Sequence, residues 1–210
     1  MAVDAGASAL GFVSAMPSGP GVIDDALIAA IVATVPPPVA TFLLTARQDA
    51  ESIAAQHRVC RTTTIQLVDH VPHDKLRQLR VLAPGITLVQ VIHVQDATSV
   101  DEAEDVALLV DALLLDSGNQ RLVVKELGGT GRTHDWSLSR RIRDRVRVPV
   151  FLAGGLTAQN VAAAVALVEP FGLDLCSGVR TDGMLDATKL RMFMSAVRDA
   201  RAPHLPFAPE

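Results

Sequence analysis

The chain reads as an α/β protein of the (β/α)8, or TIM-barrel, type, apparently lacking the first β-strand and most of the first helix. Three observations lead there. Short β-branched and leucine-rich runs alternate with longer stretches of helical spacing, the signature of βαβ units and a parallel sheet. The runs start near residues 8, 39, 62, 87, 112, 148 and 173, mostly about 25 residues apart, a repeat that holds one strand and one helix. Ahead of them, Ala2-Val3-Asp4-Ala5-Gly6-Ala7 looks like the last turns of a helix with no strand before it, so seven units stand where a barrel has eight. A doubly wound open sheet accommodates seven strands and is the alternative, but no Gly-x-Gly-x-x-Gly follows the first run to support it. At 210 residues, a single barrel domain over 1–200 with a tail over 201–210 is expected.

The elements follow from local signals. The first run, Ser8 to Ala15, meets a turn-rich stretch, Met16-Pro17-Ser18-Gly19-Pro20-Gly21, before a helix from about Asp24 to Val35. Pro36-Pro37-Pro38 ends that helix, because proline cannot continue its ladder, and Val39 to Thr45 is the second run. Helices at about Asp49 to Arg58 and Asp74 to Leu82 flank the third run, Thr62 to Val68, and Pro84-Gly85 precedes the fourth, Thr87 to Val94. Ser99 is expected to cap the next helix, with Glu102 as its capping-box partner, delivering the chain to Ala112 to Asp116. Asp135 to Arg145 and Thr157 to Val168 read as helices around the sixth run, Val148 to Ala153. Leu173 to Ser177 is the seventh run, and Asp186 to Ala200 the last helix.

Composition narrows the partners. With a net charge of −4 and scattered Lys and Arg, nothing favours nucleic acid, and no amphipathic basic helix favours a membrane surface. Although 49% of residues are hydrophobic, Pro, Gly or charge breaks every apolar run before the ~18 residues a spanning helix needs. Two cysteines and no signal-like N-terminus fit a reducing, cytoplasmic setting. Small molecules are the expected partners, with no cofactor and no metal.

In a parallel barrel the active face lies where strands turn into helices. The residues closing the runs are Asp69 and His70, His93 and Asp96, Asp116, Gly154-Gly155, and Asp174 with Cys176 through Gly178. Past Asp116 lies the loop Gly128-Gly129-Thr130-Gly131, whose glycines let backbone N–H groups close on a ligand. The turns Ala153-Gly154-Gly155-Leu156 and Ser177-Gly178-Val179 have the small residues that a phosphate cradle at a helix N-terminus requires. The competing reading is a set of tight turns whose glycines serve only backbone geometry.

Taken together, Gly128 to Gly131 with Thr133 and Asp135-Trp136, Ala153 to Leu156 with Asn160-Val161, and Asp174 with Ser177-Gly178-Val179 and Gly183 resemble the phosphoribosylanthranilate isomerase family of tryptophan biosynthesis. Ala5-Gly6-Ala7 with Gly11-Phe12-Val13, and Gln66-Leu67, extend the resemblance over nearly the whole chain. It implies an eight-stranded barrel and an Amadori rearrangement of N-(5'-phosphoribosyl)anthranilate, with Asp116 as the acid. It also implies a phosphate cradle from Gly154, Gly155, Ser177 and Gly178, a covering loop from Gly128, Gly129, Thr130 and Gly131, and an aspartate, Asp174, that touches substrate.

The departures fall on one side. The family's general base is a cysteine on its first strand, which has no counterpart here; Cys60 does not replace it, and Cys176 faces the right way only by shared parity with Asp174. The arginine that holds the anthranilate carboxylate is replaced by Pro20, a histidine by Val68, and the glutamate after Ser-Gly-Val by Arg180. Two explanations stay open: a chain shortened by about 15 to 20 residues, as a strand and most of a helix need, or a diverged paralogue that binds a phosphosugar without this activity or isomerises another substrate. His70 and His93, at strand ends, are candidates for a substitute base, against the commoner reading of histidines with no catalytic part. An open barrel also leaves unpaired edges on its first and last strands, calling for cover by a second copy of the chain, the tail Ala202 to Phe207 or a rearranged N-terminus.

Overall fold

In the computed structural model, residues 1–17, 21–118, 127 and 131–201 are described. Near the N-terminus, Gly6 N–H bonds to Val3 O and Ala7 N–H to Ala2 O, with Gly6 at φ +99°, the pattern that closes a helical turn. The chain then alternates strand and helix: β1 (Ala9–Val13), α1 (Asp25–Val32), β2 (Ala40–Thr45), α2 (Ala50–Cys60), β3 (Thr64–Leu67), α3 (His73–Leu82) and β4 (Thr87–His93). It continues through α4 (Thr98–Ala107), β5 (Ala112–Asp116), α5 (Trp136–Arg145), β6 (Val150–Leu152), α6 (Val161–Val168) and β7 (Gly172–Leu173). A 3-10 turn, Ser177–Val179, leads into a short antiparallel hairpin, β8 (Arg180–Thr181) and β9 (Met184–Leu185), and then α7 (Ala187–Arg201).

The seven strands form one parallel sheet in sequence order, and among the described residues no ladder joins β7 to β1. Two apolar layers separate by residue parity. Ile65, Leu67, Leu88, Ile92, Leu113, Leu115, Val150 and Leu152 point at the helices and are essentially inaccessible. Each such side chain contributes about 1.5–3 kcal/mol by leaving water. The opposite face gathers Val68, Val89, Val91, Ala112, Leu114 and Ala153 around Phe42, Leu44 and Phe151. Phe42 on β2 and Phe151 on β6 meet edge to face at 6.2 Å. Four strand spacings would hold them about 19 Å apart in a flat sheet, so the sheet curls, bringing its interior face onto itself.

Side chains start most helices. Asp24, Asp49 and Asp135 accept from Leu27, Ser52 and Ser137 N–H at the starts of α1, α2 and α5. Ser99 does not cap α4 as expected: it is the second helical residue, and its hydroxyl instead accepts from Gln95 N–H while Asp96 takes the Thr98 N–H. The seventh run is also shorter than expected, because the backbone leaves the ladder after Asp174, whose N–H bonds to Leu152 O. Cys60, placed beside the third run by sequence, is the last residue of α2 and packs with Phe12, Ile28 and Leu43.

Candidate active site

Asp116 closes β5 on the interior face, in step with Ala112 and Leu114, and is 7% exposed. Its Oδ1 accepts from Ser117 N–H at 2.7 Å, and its carbonyl accepts from Val94 N–H at 2.9 Å. His93 is its register partner on β4. The His93 Nε2 is 2.9 Å from Val68 O, while Nδ1 is buried with no partner among the described residues.

Three loops converge above this carboxyl. A Cβ on Gly154 would lie 3.1 Å from Asp116 Oδ1, and one on Gly131 3.5 Å from Ser177 Oγ. At Gly155, φ is +60° and a Cβ would come within 2.6 Å of the Arg132 backbone; at Gly178 it would reach 2.0 Å from Leu156 O. Both glycines are therefore demanded by backbones in contact. Asn160 braces the middle loop, accepting from Thr157 N–H at 2.8 Å and donating to Gly155 O at 2.9 Å, just ahead of α6.

The loops enclose a cavity of about 370 Å³ walled by Gly155, Leu156, Thr157, Ser177, Gly178 and Lys189, among others. A smaller inner lobe, about 40 Å³, shares its glycine wall and adds Asp116, Gly154, Asp174 and Cys176. Amide-rich walls and the start of α6 suit an anion in the outer lobe, and the inner lobe brings two carboxyls together.

The inner lobe perturbs its own groups. Loss of hydration, and then the nearby Asp116 carboxylate, push Asp174 up to about 6, against a pull from Leu175 N–H. Water still reaches Asp174 from the mouth, since its side chain is exposed. Desolvation likewise pushes the Cys176 thiol up, opposed mainly by the positive charge of the Arg180 guanidinium. His134 is driven towards its neutral form by burial, opposed by Asp116 and Asp135. Its Nε2 is 2.6 Å from Ser139 Oγ.

Of the residues singled out by sequence, Asp116, Gly131, Gly154, Gly155, Asp174, Ser177 and Gly178 line this one mouth. Gly128, Gly129 and Thr130 lie outside the described residues, as does Pro20. Cys60 is remote, its thiol pushed up to about 11 by burial first and then by Asp25. His70 is exposed, 4.0 Å from Glu102. Three residues were not anticipated at the site: His134, Lys189 and Arg180. Lys189 could have been found from its place in the first turn of the last helix. For Arg180 the signal was the sign change from the resembled glutamate. Among the described residues no three His, Cys, Asp or Glu group to hold a metal ion, and no helix is long and apolar enough to cross a membrane.

A curled parallel sheet in sequence order, with a helix after each main strand and a ligand-sized mouth at the strand ends, sets the chain among the (β/α) barrels. Within that class it belongs to the N-(5'-phosphoribosyl)anthranilate (PRA) isomerase family, whose model matches residues 2–196. The N-(5'-phosphoribosyl)anthranilate isomerase of Halorubrum lacusprofundi is 38% identical over 92% of this chain and 88% of its own. The solved Thermotoga maritima phosphoribosyl anthranilate isomerase superimposes with TM-score 0.80 at 28% identity, over 94% of this chain and 91% of that one. A phosphoribosyl anthranilate isomerase in complex with reduced 1-(o-carboxyphenylamino)-1-deoxyribulose 5-phosphate superimposes with TM-score 0.77 at 27% identity, covering 94% and 91%.

Proposed function

We propose that the protein converts N-(5'-phosphoribosyl)anthranilate into 1-(o-carboxyphenylamino)-1-deoxyribulose 5-phosphate by an Amadori rearrangement, as a step of tryptophan biosynthesis. The observation that carries the proposal is the pair of carboxyls, Asp116 and Asp174, in an inner lobe continuous with the glycine-walled cavity. The phosphate is assigned to the outer lobe against Gly155, Ser177 and Gly178, with Gly154 at its inner edge and Gly131 and Lys189 beside it. Anchoring at that end sets the register of the ribose over the acids, which is how a remote group contributes to a proton transfer.

Asp116 donates a proton to the furanose ring oxygen; the ring C–O bond breaks as the aniline nitrogen lone pair forms the C1′ iminium. Asp174 then removes the C2′ proton, and those electrons neutralise the iminium to give the enolamine. The enolamine loses its 2′-hydroxyl proton and gains one at C1′, leaving the 2′-ketone, and a proton passed back to Asp116 resets the pair. Asp174, raised to about 6 first by lost hydration, is ionised at neutral pH yet retains basicity, which suits this second step, and Asp116 takes up the proton it donates as the substrate binds. Cys176 fits less well, because burial pushes its thiol up and away from the thiolate form.

The reaction belongs in the cytoplasm, a reducing compartment in keeping with two unpaired cysteines. A second copy of the chain covers the unpaired β1 and β7 edges, so light scattering is expected to give the mass of a dimer. The test of function is direct: fluorescence-monitored consumption of N-(5'-phosphoribosyl)anthranilate, and rescue of a tryptophan auxotroph lacking this isomerase. Absence of turnover alongside tight phosphosugar binding would favour the diverged, binding-only alternative.

A further inference from the structure

We infer that Arg180 holds the carboxylate of the substrate's aromatic half, reaching from the start of β8 across the gap to Gly21, which follows β1. The inference rests on the proposed function and deepens it. The substrate is anionic at both ends, with a phosphate on the ribose and a carboxylate on the ring. The outer cavity meets the phosphate with backbone amides and Lys189. The ring must sit beside the inner lobe once the ribose lies over the acids, and that lobe is lined by two carboxyls and a thiol. A second carboxylate brought there without a cation would meet like charge from both acids.

Arg180 supplies that cation by geometry. It follows the Ser177–Val179 turn at the cavity wall, and its positive charge acts on the Cys176 thiol that lines the inner lobe. Its Nη2 and Nη1 come 3.7 and 3.9 Å from where a Cβ on Gly21 would stand. Gly21 follows β1 and is tied back to it by the Val13–Val22 bridge, so the side chain spans the gap that the sheet leaves open. The position is fixed from both ends: Nη1 donates to Gly183 O at 2.7 Å within the β8–β9 hairpin, and the Arg180 carbonyl accepts from Lys189 Nζ at 2.8 Å. Among the described residues no carboxylate pairs with it.

A guanidinium has five N–H donors in a planar fork, of which the Gly183 contact uses a part, and that fork matches a carboxylate. Proline at position 20 can provide neither charge nor an N–H. The cation therefore enters from the β7 side of the gap rather than from the β1 side. A glutamate at 180 would instead have put a third acid beside Asp116 and Asp174.

Calorimetric binding of two ligands to wild type, Arg180→Gln and Arg180→Lys tests this: the reduced product analogue, and the same compound without its ring carboxylate. Wild type is expected to favour the carboxylated ligand by about 10- to 100-fold, the range of a charge-assisted pair. Arg180→Gln keeps a donor for Gly183 and should erase that preference while leaving the decarboxylated ligand within about 3-fold of wild type; Arg180→Lys should retain part of it. Equal weakening of both ligands in Arg180→Gln would mean that Arg180 only clamps the hairpin, and an intact preference would mean that another group binds the carboxylate; either overturns the assignment. Equal binding of both ligands by wild type also overturns it, while leaving the isomerase reading standing. Wild type that binds neither ligand refutes the isomerase reading itself, and this assignment with it.

Discussion

Gly178→Ala puts the smallest side chain at the tightest backbone crossing in the site. The added Cβ would lie 2.0 Å from Leu156 O and 3.2 Å from Leu156 C, and neither atom can swing aside as a flexible side chain could. The Ser177–Val179 turn must separate from the Gly155 loop by roughly 1 Å to restore ordinary contact. Overpacking of this kind costs about 1–3 kcal/mol, which for a domain of this size lowers Tm by about 3–10 °C. The same separation pulls amides away from the outer cavity, and losing one charge-assisted bond there weakens an anion by roughly 10- to 100-fold. Thermal unfolding and calorimetric titration with ribose 5-phosphate read the two effects. Gly85→Ala is the control: φ is +79° but nothing lies within 4 Å, so it should cost about 1–2 kcal/mol of strain and leave the ligand alone. Gly178→Ala with wild-type Tm and affinity would refute the crossing, and Gly85→Ala weakening the ligand equally would refute its link to the site.

Asp116→Asn should cut turnover by about 10²- to 10⁴-fold, as loss of a positioned acid does, with product-analogue affinity nearly kept. For Asp174 the folded state raises the carboxyl from 3.8 to about 6. Its stabilising contribution is therefore full below pH 4 and is lost as pH climbs through 6, after which the ionised group is a liability. Asp174→Asn should raise Tm at pH 7.5 and not at pH 4, with a gain screened by water to ~1 kcal/mol or less; a gain at pH 4 would contradict the assignment. Maleimide at pH 8 should modify Cys176 and spare Cys60, which is fully buried, and the product analogue should protect Cys176, read by mass spectrometry.

Most of the strand order was legible because buried parallel strands are continuous apolar runs, and Ala112–Asp116 coincides with its run residue for residue. What escaped depended on contacts between distant segments. Ser99 has a good capping pattern, yet Asp96 competes for the same turn and wins. The seventh run stops early because Cys176 and Ser177 turn across the mouth instead of following β6, and no local propensity encodes that. At the site, Asp116 and the glycine turns announce themselves by residue type and position. Arg180 does not, because its place depends on a side chain crossing to Gly21. Asp174 was visible as a position, but its raised pKa required knowing that the fold strips its hydration and sets Asp116 nearby.

The sheet's sequential order bears on how the chain finds its fold. Every ladder joins strands that are neighbours along the chain, so each βαβ unit closes a loop of similar, modest length, and assembly can proceed unit by unit without a long search. The crossing from Arg180 to Gly21, like the approach of Met194 to Gly6, joins positions near opposite ends of the sequence. A ligand held between the Ser177–Val179 turn and that crossing would act as a late staple, favouring the native state by mass action. Bound product analogue should therefore slow unfolding more than it speeds refolding, because the two ends meet only after the intervening strands have paired.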